Sequence, residues 1–161
     1  MNLDEAKDAI TAAEGDLPNQ PFVIAHTFSR DGRDLHVGVT ARLKRIANKG
    51  LVWNSKHFLT AFKNAAYGYD DSQAISAGGY DGIFRLTRDH RPANEMMKKI
   101  FDRFLDKSDS GAQEIANAVG VPLDSFMPVR LVSHHLRLLG ILHRADNSDT
   151  LVLVDCDDTK G

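Results

Sequence analysis

Ser110-Gly111-Ala112-Gln113-Glu114-Ile115-Ala116-Asn117-Ala118-Val119-Gly120-Val121-Pro122 decides how the C-terminal third of this chain is read. Ser110 and Gln113 stand in the S-x-x-Q spacing of a capping box, which predicts a short helix over Ala112 to Val119. Gly120 and Pro122 stop it. Upstream, Asn94 to Leu105 is amphipathic, with Met97, Ile100, Phe101 and Phe104 on one side. Downstream, a third helix is expected from Asp124 or Ser125 to about Leu139, with Phe126, Leu131, Val132, Leu136 and Leu139 toward the core. Pro128 suits its first turn, where a missing N–H costs nothing. Gly140 closes it. Ala145 to Thr150 reads as a polar turn and Leu151 to Val154 as a strand.

Helix, helix, turn, helix and hairpin is the order of a winged helix. Ala112 to Val121 resembles the second helix and turn of bacterial winged-helix regulators of the ArsR and MarR kinds. Val132-Ser133-His134-His135-Leu136-Arg137-Leu138-Leu139-Gly140-Ile141-Leu142 is similar to their recognition helix and exit. The interval from Val121 to Val132 is longer than their usual tight turn. The resemblance implies double-stranded DNA as partner, read by the third helix in the major groove.

The residues agree with that implication. No acid lies between Ser125 and Arg144, while Arg130, Arg137 and Arg144 are basic. Ser133, His134, His135 and Arg137 can donate to phosphates or base edges. The net charge of −2 gives no global attraction to a polyanion, but its distribution does. Arg30 to Lys63 carries +6, whereas the first 29 and the last 17 residues each carry −4. Lys44 and Arg45 in that basic stretch are expected to touch the DNA backbone. The acidic wing, Asp146 to Asp149, favours the alternative of a winged-helix adaptor for a protein partner.

The N-terminal half, residues 1–91, is expected to be α+β. Leu3, Ala6, Ile10 and Ala13 share a helical face over Leu3 to Glu14. Phe22 to Phe28 and Leu35 to Thr40 are β-rich runs around Asp31-Gly32, a hairpin signal. Ala41 to Asn48 reads as a short basic helix. Ser55 is a candidate N-cap for a helix over Lys56 to Tyr67. A glycine-rich loop spans Tyr69 to Gly82, a third strand is expected over Gly82 to Arg88, and Asp89 to Pro92 marks a boundary with a second domain, 92–161. The fold class is therefore α+β, an N-terminal hairpin and helix region with a C-terminal winged helix-turn-helix.

Other chemistry is less well supported. His134, His135 and His143 with Asp155, Cys156 and Asp157 suggest metal sensing, but adjacent histidines on a helix diverge by about 100° and rarely share an ion. His26, His36 and His57 with Ser29, Asp31 and Asp34 are the polar set of the N-terminal half. No nucleophile elbow, phosphate loop or zinc spacing accompanies them, so neither a catalytic residue nor a cofactor is expected. Trp53, Phe58, Phe62, Tyr67 and Tyr69, interleaved with Lys56 and Lys63, are candidates for base stacking or for core. One cysteine, no apolar run long enough to cross a bilayer and an acidic N-terminus point to a cytoplasmic protein. A homodimer is expected, since one winged helix contacts too little DNA for strong specificity.

Overall fold

Asn2 and Glu5 start the first helix by mutual capping: the Glu5 N–H donates to Asn2 Oδ1 at 2.8 Å, and the Asn2 N–H to Glu5 Oε1 at 3.3 Å. The computed structural model describes residues 2–30, 32–49, 53, 55–64, 102–106, 110–133 and 136–158. Among these, α1 covers Leu3–Glu14 and buries Ala6, Ile10 and Ala13, the expected stripe. A 3-10 turn, Leu17–Asn19, leads to β1 (Val23–Arg30) and β2 (Arg33–Val39). They form the expected antiparallel hairpin, and Gly32 meets the turn's need for a positive φ, +79°.

Helices α2 (Ala41–Lys49) and α3 (Lys56–Asn64) follow. Thr40 caps α2 by accepting the Leu43 N–H at 3.0 Å. Ser55 caps α3 by accepting the Phe58 N–H at 3.2 Å, as its position predicted. Residues 102–106 are helical, which agrees with the end of the Asn94 to Leu105 expectation. The rest of that helix, the Tyr69 to Gly82 loop, the Gly82 to Arg88 strand and the Asp89 to Pro92 boundary lie outside the described residues. Helix α4 is Ala112–Val119. Its N-cap is Gly111, so the Ser110–Gln113 capping box does not form. Ser110 Oγ instead accepts the Ala112 N–H, and Gln113 Nε2 donates to Asn117 Oδ1 at 3.0 Å.

The third helix expected over Ser125 to Leu139 is not a helix. Leu123–Ser125 is a 3-10 turn, Met127–Ser133 is strand β3, and Leu136–Arg144 is strand β4. Strand β5, Ser148–Asp158, contains the expected Leu151 to Val154 strand and is hairpinned to β4. The five strands among the described residues make one sheet, in the order β1-β2-β5-β4-β3. β2 and β5 run parallel, from Asp34↔Ser148 to Val39↔Leu153, and the other neighbours are antiparallel. The chain is α+β. The expected division near residue 91 does not divide the sheet, because strands from both halves pair at its centre.

Side-chain alternation explains the layers. Leu151 and Leu153 of β5 and Leu138 and Leu142 of β4 join a core with α1, Leu43 of α2, and Phe58, Leu59 and Phe62 of α3. Val152, Val154, Leu139 and Ile141 join a second core with Phe104, Phe126 and Ala112, Ile115 and Ala116 of α4. A strand buried on both faces reads as a continuous apolar run, and a run of that kind can be mistaken for a buried helix. Pro128 is accommodated because β3 is an outer strand of the described sheet, where a missing N–H need not break a ladder.

Gly140 sits where two layers touch. A Cβ there would come within 2.6 Å of Leu151 Cδ1 and 3.4 Å of Leu153 Cδ2. Leu151 is fully buried, so it has little room to retreat. Gly140→Ala is expected to destabilise the fold by about 1–3 kcal/mol through overpacking. Urea unfolding checks it: the midpoint falls with the slope unchanged.

Candidate functional site

The residues expected to contact DNA do not share a helix. Arg130 and Ser133 are on β3, opposite Leu139 and Leu136 of β4. Arg137 and Arg144 are on β4, opposite Asp157 and Asp149 of β5. His134 and His135 lie outside the described residues. Without a helix here there is no element to enter a major groove in the manner of a winged helix. The four described residues of that group are spread over two strands.

The other two, Lys44 and Arg45, lie on α2, and their surroundings have been sorted by the packing. From Leu35 to Tyr69 the chain has no acidic residue. Leu43, Phe58, Leu59 and Phe62 turn the apolar sides of α2 and α3 into the core, leaving polar sides outward. Arg45 and Lys56 are exposed, and Lys44 and Lys63 are half-buried. Lys44 Nζ is 2.5 Å from Glu14 of α1, a surface pair worth about 0–1 kcal/mol. Phe58 and Phe62 are core residues with no exposed face for a base, and Trp53 stacks against Phe58 at 4.9 Å. Tyr67 and Tyr69 lie outside the described residues.

Arg42 has a different fate. It is 7% exposed. Its Nη1 donates to the Val154 carbonyl at 3.0 Å and lies 3.2 Å from Asp155 Oδ1, while its guanidinium carbon sits 5.5 Å from the Phe104 ring centre. β2 ends opposite Leu153, so the next carbonyls of β5 lose their strand partner. Thr40 Oγ1 donates to the Leu153 carbonyl at 3.4 Å, and Arg42 takes the next one. Arg42 is thus a structural pin and not a contact for an external anion.

The face of the sheet that carries α4 is apolar over one half and polar over the other. Ile141, Val152 and Gly38, with Phe22 against Gly38, lie toward the apolar half. Two residues along each strand, a polar row begins. His143 of β4 pairs with Thr150 of β5, Thr150 with His36 of β2, and His36 with Thr27 of β1. The Thr27 hydroxyl and His36 Nδ1 are 2.7 Å apart. The next row holds Ser148, Asp34 and Ser29, and Ser29 Oγ donates to Asp34 Oδ1 at 2.6 Å. The His143 ring lies 5.7 Å from that of Phe126. Thr27, Asp34, His36, His143 and Thr150 are half-buried, and Ser29 is exposed.

Ser29, Asp34 and His36 belong to the polar set noted in the N-terminal sequence. His26 does not join them: it pairs with Val37 and stacks edge-on with Phe28, toward the other face. Thr27 was passed over although the β1–β2 hairpin sets it beside His36, whereas Thr150 and Ser148 escaped notice because the β2–β5 register that aligns them spans more than a hundred residues. Among the described residues no group of three His, Cys, Asp or Glu is placed to hold a metal ion. Nor is any helix among them long and apolar enough to cross a membrane. No family model, curated protein or solved structure matches this chain.

Proposed function

We propose that the protein is a DNA-binding regulator, acting as a homodimer in the cytoplasm, and that it meets the phosphate backbone through α2 and α3. The observation that carries this reading is the acid-free run from Leu35 to Tyr69, in whose described helices Leu43, Phe58, Leu59 and Phe62 enter the core while Lys44, Arg45, Lys56 and Lys63 stay at the surface and only Arg42 turns inward. Lys and Arg gathered on one layer neutralise phosphates and release counterions, which supplies sequence-independent affinity. The acidic first turn of α1, Asp4 and Glu5, turns a polyanion toward the α2 and α3 end of that layer.

Fluorescence anisotropy with random duplex DNA over a series of salt concentrations tests the reading. The triple variant Arg45→Ala, Lys56→Ala, Lys63→Ala should lower the slope of log K against log salt by up to about 2.7, or 0.9 for each lost phosphate contact. Two chains should bind per short duplex. A wild-type protein that shows no salt-dependent binding, or a triple variant with an unchanged slope, would remove α2 and α3 from the interface. The first outcome favours the adaptor reading, with a protein as partner.

A further inference from the structure

We propose that the polar half of the α4-side sheet face is a binding site for a neutral, hydroxyl-rich small molecule, a free sugar. The inference is independent of DNA binding, because the two surfaces lie on opposite faces of the sheet.

The chemistry of the row selects the ligand. Its described side chains are hydroxyls, two imidazoles and one carboxylate, drawn from four strands. Asp34 accepts one hydrogen bond from Ser29, and a carboxylate has room for several more. Those places call for donors, and a phosphate or carboxylate ligand would bring only like charge to them. Ligand hydroxyls satisfy Asp34 and can also accept from Thr150. The Thr27 hydroxyl occupies Nδ1 of His36, so Nε2 is the ring nitrogen left to meet a ligand. His143, set against Phe126, supplies a flat ring surface at the other end of the row. Adjacent strands are about 4.8 Å apart, so His36 and His143, with Thr150 between them, stand about 10 Å apart at their Cα atoms. That span across the sheet surface is comparable to the width of a single sugar ring lying over Thr150, with polar groups on either side.

The site is tested by proton NMR of the imidazole ring signals, assigned with His36→Gln and His143→Gln, while the full chain is titrated with ribose and with glucose. The signals of His36 and His143 should shift saturably, and that of His57, on α3 across the sheet, should stay in place. Asp34→Asn should weaken binding at least about tenfold, the scale of a hydrogen bond to a charged group. Thr150→Val should weaken it about fivefold. Trp53 fluorescence reports whether each variant folds, and if Asp34→Asn does not, Thr150→Val decides. The proposal is overturned if neither sugar gives a saturable shift. It is also overturned if inorganic phosphate gives the larger response, if all histidines move together, or if binding survives in the folded variants.

Discussion

Arg42→Met is expected to cost about 3 kcal/mol of folding stability, a large share of the roughly 5–15 kcal/mol that holds a typical domain together. The cost comes from what is left behind. Arg42 links three things at the end of the sheet: the Val154 carbonyl, the Asp155 carboxylate and the Phe104 ring. Methionine keeps the stem and some contact with Phe104, but it has no donor. Asp155, with a side chain 16% exposed, then loses the guanidinium that offsets its burial. The register shift on this stretch, where Leu139 faces Asp155 and Gly140 faces Leu153, skips Val154. Its carbonyl therefore depends on Arg42 more than an ordinary ladder carbonyl would. A second substitution separates the two contributions. Arg42→Met with Asp155→Leu removes both charges and should recover much of the loss, since a buried pair replaced by apolar groups is often near neutral. Chemical denaturation of the two singles and the double gives the coupling energy. Simple additivity of the two singles would show that the pair does not act as a unit.

Much of this fold is legible in the residues, and the misread third helix has a definite physical origin. α1, the β1–β2 hairpin, α2, α3 and α4 each have one solvated side, so their apolar residues recur with a period that names the element. Leu138 to Leu142 and Leu151 to Val154 have no solvated side, because α1 and α3 lie on one face and α4 on the other. Periodicity is lost there, and the first of these runs passes for a helix. Leu151 to Val154 escaped that error, since a polar turn precedes it and its β-branched valines favour a strand. The candidate sugar site is legible only in part. Asp34 and His36 are two apart on one strand, so their common face follows from sequence, and Ser29 is placed by the hairpin. Thr150 and His143 join them through the parallel pairing of β2 with β5, for which no local signal exists. The Arg42–Asp155 pin is hidden for the same reason, and in sequence Arg42 is one more member of a basic stretch.

Phe62→Ala is expected to be the most damaging single substitution in the described core, at about 3–5 kcal/mol. Phe62 is fully buried on α3, in the cluster that joins α1, α3 and the β4–β5 side of the sheet. α3 is nine residues long, too short to be stable on its own, so its helicity is maintained by packing. Removing the ring leaves a void bounded by side chains that are themselves buried, and the sheet cannot move in to fill it. Phe62→Leu retains most of the volume and should cost about 1 kcal/mol. The pair of variants distinguishes loss of packing from loss of aromatic character, since Phe62 takes part in no described ring stack, whereas Phe58 stacks on Trp53. Urea unfolding followed by circular dichroism measures both. Nearly equal costs for Phe62→Ala and Phe62→Leu would mean that the site collapses around the smaller residue. In that case α3 would be loosely seated on the sheet, and Lys63 next to it would be a poor anchor for a phosphate.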